Sequence, residues 1–151
     1  MYSRTLTQPT SPWLGDVMAA AIHATGVDPA DIDGRGGPSF DIPRARSVIL
    51  IVVDGLGWIP LHDHAGHART LRGFLTDAHV VDTCLPSTTA AALTALTTGR
   101  LPGQTRMVGY SVAQGPSTMN LLNFQPDVDA EAWQPCPTLF ERLRSTGVRP
   151  A

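Results

Sequence analysis

The sequence predicts an α/β fold, a three-layer α/β/α sandwich around a mostly parallel central sheet. Three observations predict it. Residues 48–53, "VILIVV", are apolar and almost all β-branched with no alternation, the pattern of a strand buried on both faces and covered by helices. A second, shorter strand is expected at 79–83, reached through a helix around 70–75, which makes a βαβ unit. A small-residue helix then opens at "PSTT". With 151 residues, 42% of them hydrophobic and 16% charged, the chain is long and apolar enough for one globular domain with a core of its own.

Taken in order, Ser11, Pro12 and the stripe Trp13, Leu14, Val17, Met18, Ala21 and Ile22 give an N-cap, a proline at the first helical position and an apolar helix face that Gly26 stops. Residues 28–46, rich in Gly, Pro and Asp, read as a connector. The helix after "PSTT" carries Ala90, Ala91, Ala92, Leu93, Ala95 and Leu96, and Gly99 ends it. Residues 107–124 predict a hairpin or lid-like excursion with a Gln-Gly-Pro-Ser turn. Thr138 and Glu141 form a capping box before Leu139, Phe140 and Leu143, and Gly147 closes that helix. This division gives a helix and linker over 1–46 and the main α/β unit over 47–151. An α/β unit normally continues from such a helix into another strand, so the expectation is the N-terminal portion of a larger domain. Internal repeats and low-complexity segments are absent from the sequence.

A formal net charge of −2 and a pI near 6.2, with no basic run, exclude a nucleic-acid footprint. Cys84 and Cys136 have no metal-ligand spacing, which suits a reducing compartment and leaves one disulfide open. The N-terminus lacks a signal-peptide pattern and no apolar run reaches membrane-spanning length, so a soluble, cytoplasmic protein with no membrane partner is expected.

Two features carry chemistry. Asp54 stands at the carboxyl end of the predicted strand, where open α/β sheets bind ligands, and Gly55 and Gly57 leave room for close approach. Such a carboxylate suits a divalent metal; the plainer alternative is an Asp that caps the following turn. Ser87, Thr88 and Thr89 stand where a helix N-terminus offers free N–H groups to an anion; the plainer alternative for any one of them is an N-cap. Phosphoryl transfer wants both together: a metal to activate an alcohol and a helix end to hold phosphate oxygens.

"ILIVVDGLG" followed by "LPSTTAAALTALTTGRLPG" resembles the N-terminal part of the alkaline phosphatase superfamily, in its nucleotide pyrophosphatase/phosphodiesterase-like branch, over about residues 47–110. The resemblance implies a phosphoric ester hydrolase of small phosphoesters with two zinc ions in the intact enzyme, other divalent metals remaining open. It implies that Asp54 is a metal ligand. Thr89 would be the nucleophile, forming a phospho-threonine intermediate and also contacting metal and substrate, with Thr88 as the fallback if the register slips by one. The chain departs from the family pattern at "PGQTRMVGY", where Tyr110 stands at the position of a phosphate-binding Asn. The family's remaining zinc ligands, an Asp and His set, lie in a C-terminal part, so a missing segment or a partner chain would supply them. A non-catalytic anion-binding module is the alternative from another class. "CLPST", from Cys84 to Thr88, also approaches the Cys-x-Pro-Ser-Arg of sulfatases but has Thr in place of Arg, which leaves Cys84 better read as a small buried residue ending a strand.

His62, His64 and His67 could bind metal or form a solvated face. The glycines of 34–37 precede the strong strand and read as linker, and "DVDAE" lacks calcium-loop spacing. Asp16, Trp13 and Trp133, with "NLLNF" and "TLFERL", belong to packing or solvated faces.

Overall fold

The computed structural model describes residues 12–32 and 39–149. In chain order the elements are α1 (Leu14–Ala24), α2 (Pro29–Ile32), α3 (Trp58–Asp63), α4 (Arg69–Arg72), α5 (Thr89–Thr98), α6 (Pro102–Thr105), β1 (Ser111–Gln114), β2 (Ser117–Asn120), α7 (Ala130–Trp133) and α8 (Leu139–Arg142), with short 3-10 turns at Leu75–Asp77 and Leu143–Ser145.

α5 is the best specified of these. Thr88 is its N-cap, its hydroxyl accepting from the Ala91 N–H at 3.5 Å, and Gly99 ends it at φ +66, a left-handed position that glycine takes without steric cost. The alanines between lose no side-chain entropy in a helix. α5 packs against α1, and Leu96 joins Met18, Ile22, Val27, Ile32, Leu139 and Leu143 in the main core. A second cluster puts Trp13, 2% exposed, against Cys84, Ala91 and Ala95. The third, Ala90, Met107, Met119 and Leu121, lies under the hairpin.

α1 starts later than the sequence suggests. Trp13 occupies the N-cap position, and the Pro12 carbonyl accepts from the Asp82 N–H at 3.0 Å while the Leu14 N–H donates to the Asp82 carbonyl at 2.7 Å. Pro12 is thereby drawn out of the first turn into a parallel bridge between Trp13 and Asp82. Ser11 lies outside the described residues, as do the glycines of 34–37. The hairpin forms as expected, antiparallel, with Gln114 opposite Ser117 and Gly115 at φ +58 in the turn. The capping box of α8 also forms, with the Thr138 N–H donating to Glu141 at 2.7 Å and the Glu141 N–H donating to the Thr138 hydroxyl at 3.2 Å.

The parallel sandwich does not form among the described residues. Their one sheet is the antiparallel pair β1-β2, and 48–53 is neither strand nor buried: Ile49 is 88% and Ile51 79% exposed. From 39 to 83 no residue is buried. The physical reason is that strand preference is realised only by pairing and cover: of 79–83 only Asp82 is bridged, to Trp13, and among the described residues no strand lies beside 48–53. Across an open groove of about 880 Å³ this segment faces α1 and the chain's last turns, through Val48 and Leu50 on one side and Ile22 and Leu143 on the other. The helix expected around 70–75 is divided between α4 and the following 3-10 turn. No helix among the described residues is long and apolar enough to cross a membrane.

Two consequences are measurable. Gly15 lies in the first turn of α1, where Ala would normally gain about 1 kcal/mol of helix propensity, but a Cβ there would run into the Trp13 ring. Gly15→Ala should therefore lower the urea midpoint and red-shift tryptophan emission; a raised midpoint would show that the indole moves aside freely. The N–H and hydroxyl of Thr138 hold the Glu141 carboxyl below the usual carboxylate range. A lowered folded-state value stabilises the fold above the unfolded value and loses that contribution as pH falls through the folded value. Thr138→Ala, which deletes the hydroxyl but keeps the larger N–H contribution, should move the Glu141 titration, followed by carbon-detected NMR, part of the way toward the ordinary range and lessen that acid sensitivity.

Candidate active site

The start of α5 is placed from behind. The bridge from Asp82 to Trp13 ties the chain just ahead of Cys84 to the start of α1, and Cys84 is packed with Trp13 beneath α5. The three hydroxyls that follow then separate. Ser87 is exposed, with no hydrogen bond among the described residues. Thr88 turns inward as the cap. Thr89, the first helical residue, points outward, and its hydroxyl donates to the Asp54 carboxylate at 3.1 Å.

Asp54 reaches this position from a tight turn. The Leu56 N–H donates to the Val53 carbonyl at 3.4 Å, and Gly55, third of the four turn residues, has φ +73, the geometry of a type II turn that needs glycine there. The carboxylate makes no local cap; its hydrogen bond crosses 35 residues of sequence to Thr89. Asp54 and Thr89, picked out separately in the sequence, are thus brought together, with an anionic group at the positive end of a ten-residue helix.

The other candidates stay apart. Tyr110 is 56% exposed ahead of β1, and its hydroxyl makes no hydrogen bond to Asp54 or Thr89. His62 lies on α3 beside Asp63 and stacks obliquely on Trp58, ring centroids 5.8 Å apart; His64 caps the C-terminus of that helix. No group of three or more His, Cys, Asp or Glu is gathered as a metal site among the described residues. Asp16, assigned to packing or solvation, is buried at 8% exposure and accepts from the Trp13 N–H and the Ser39 hydroxyl. Asp82, which nothing in the sequence marked, proves to be the residue that anchors the approach to α5.

Cys84 is buried, its thiol donating to the Pro86 carbonyl at 3.4 Å, and burial pushes the thiol's pKa up against the opposing pull of its hydrogen bond with Thr83. A sulfatase-type role would need this side chain in the cleft, and it is in the core. Cys84 and Cys136 are both free. Under native conditions at mildly alkaline pH, iodoacetamide should label Cys136 and spare Cys84, with both labelled in denaturant; rapid native labelling of Cys84 would show that the region beneath α5 opens.

The sequence profile of Type I phosphodiesterase / nucleotide pyrophosphatase matches residues 48–151, well over half of the chain and a stretch that contains both Asp54 and Thr89. No curated protein and no solved structure matches the chain. With the turn-borne carboxylate and the hydroxyl at the start of α5 inside the matched region, the chain belongs to the Type I phosphodiesterase / nucleotide pyrophosphatase family, a family of phosphoric ester hydrolases.

Proposed function

We propose that this chain carries the nucleophile end of a metal-dependent phosphodiesterase or nucleotide pyrophosphatase site, with Thr89 as the attacking group. The observation that supports this most is the Thr89 hydroxyl donating to Asp54 at the start of α5. With its proton aimed at a carboxylate, the oxygen keeps a lone pair for phosphorus, and the first-turn N–H groups of α5 that Thr88 does not cap are free to meet phosphate oxygens. In the first displacement the Thr89 oxygen bonds phosphorus as one ester oxygen leaves as the alcohol. In the second, water bonds phosphorus, the Thr89 hydroxyl is regenerated and a phosphomonoester departs. Thr88 is the weaker candidate because its oxygen is engaged as the cap.

The charge of Asp54 beside Thr89 repels a phosphodiester, which is the electrostatic reason for a cation in this reading. Zinc takes about four donors, and Asp54 with Thr89 offers two, so the described residues do not complete its coordination and no step is assigned to it. The remaining donors would come from outside the described residues, from a further segment or a partner chain. Tyr110 is a single hydrogen-bond donor that would have to move to reach the phosphoryl group.

Hydrolysis of bis-p-nitrophenyl phosphate with added zinc, by the chain together with whatever completes its donor set, is the test. Thr89→Ala should lower turnover about a thousandfold or more with folding intact. Thr88→Ala should cost about 1 kcal/mol of stability and leave turnover within a factor of about ten. The reverse pattern would move the nucleophile to Thr88, and near-normal turnover of both variants would remove it from this helix.

A further inference from the structure

We propose that residues 39–45 are a strap laid along α1 and clasped at Asp16, and that the clasp holds closed the packing of Trp13 and Cys84 beneath α5. This goes beyond the hydrolase reading, involves neither Asp54 nor Thr89 and does not rest on it.

A buried carboxylate is held by the donors within its reach. Asp16 is 8% exposed in the first turn of α1, and one of its oxygens, Oδ2, accepts from two directions: the Trp13 N–H at 3.4 Å and the Ser39 hydroxyl at 2.5 Å. Among the described residues, Ser39 is the only donor to it from outside that turn. The other end of the strap meets the other end of the helix, where the Ala45 N–H donates to the carbonyl of Ala24, the last residue of α1, at 2.9 Å. Arg44 lies there beside Gly26, its guanidinium 3.4 Å from where a Cβ would stand. The lengths agree: Asp16 to Ala24 is about 12 Å of helix, and the non-helical chain from Ser39 to Ala45 spans up to about 20 Å.

Two links lead from the strap to α5. The first is the shared oxygen. A carboxylate that loses Ser39 turns to water for its donors, and in turning it lets go of the Trp13 N–H, while the Trp13 ring is what packs with Cys84, Ala91 and Ala95. The second is Phe40, whose ring stacks on His79 with centroids 5.2 Å apart, just ahead of the Asp82 that Pro12 and Leu14 grip. Lifting the strap and opening the space around Cys84 are thereby one event, and by linkage each eases the other.

The rate of the first tryptic cut after Arg44 and native iodoacetamide labelling of Cys84 read the two ends of that linkage in the full chain, with far-UV circular dichroism to establish folding of each variant. Ser39→Ala leaves the buried charge short of a donor and should speed both about tenfold, while cleavage after Arg72 and labelling of Cys136 keep the wild-type rate. Ser39→Thr, which keeps a hydroxyl, should restore both. Trp13→Phe, made at the opposite end, should speed the cut after Arg44 through the same linkage. Unchanged cleavage after Arg44 in Ser39→Ala would overturn the clasp. Faster cleavage with Cys84 labelling unchanged, or equal acceleration at Arg72 and Cys136, would overturn its coupling to the packing beneath α5.

Discussion

The contact between α1 and α5 is the one on which the rest of the molecule depends. It is built from small side chains. Ala19 and Ala20 on α1 are 1% exposed, and Ala91 and Ala95 on α5 are fully buried, so both helices bury small side chains at almost no cost in rotamer freedom. The larger groups, Met18, Ile22, Leu96, Leu139 and Leu143, fill the space at the edges of that contact. Through it the first turn of α5 acquires a fixed position, and so do the two threonines that open the helix. Trp13 extends the same grip backward, packing beneath α5 while its neighbours Pro12 and Leu14 hold the Asp82 backbone.

The two halves of the candidate site therefore differ in stiffness. Thr89 belongs to a packed helix, while Asp54 sits in a stretch, 39–83, that buries nothing. What holds the carboxylate is a glycine-dependent turn and one exposed hydrogen bond, an interaction with a net worth on the order of 1 kcal/mol in water. A group that binds Asp54 and Thr89 together meets one fixed partner and one that adjusts to it. That arrangement places the demand for rigidity on Thr89 and leaves the carboxylate free to adjust.

How much of this could be read in advance follows the range of the forces involved. Signals contained within a few residues came through: the Gly99 stop of α5, the Gly-Pro hairpin turn, and the reciprocal box of Thr138 and Glu141, while which of the three hydroxyls caps α5 was left open and proves to be Thr88. The pairing of Asp54 with Thr89 was legible only as two separate candidates, because nothing local in either motif states their distance. Residues 48–53 are neither strand nor buried among the described residues, because β-branched composition records a preference for pairing and says nothing of whether a partner lies alongside. Pro12 failed for a related reason: its fit to a first helical turn competed with a bridge to Asp82, 70 residues away, that no local pattern reveals. Family resemblance succeeded where periodicity did not, since the matched region from 48 to 151 draws on motif order as a whole.

The hairpin has a consequence of a different kind. Its buried contribution is confined to Met119 and, just beyond β2, Leu121, while residues 113–118 are all exposed and Gly115 has open space around its α-carbon. The tip is thus uncoupled from the core below it, and lengthening a loop of this kind costs only the slow logarithmic growth of closure entropy. In evolutionary terms it is the inexpensive place to experiment: descendants of this chain can graft new surface there without disturbing the two helices beneath.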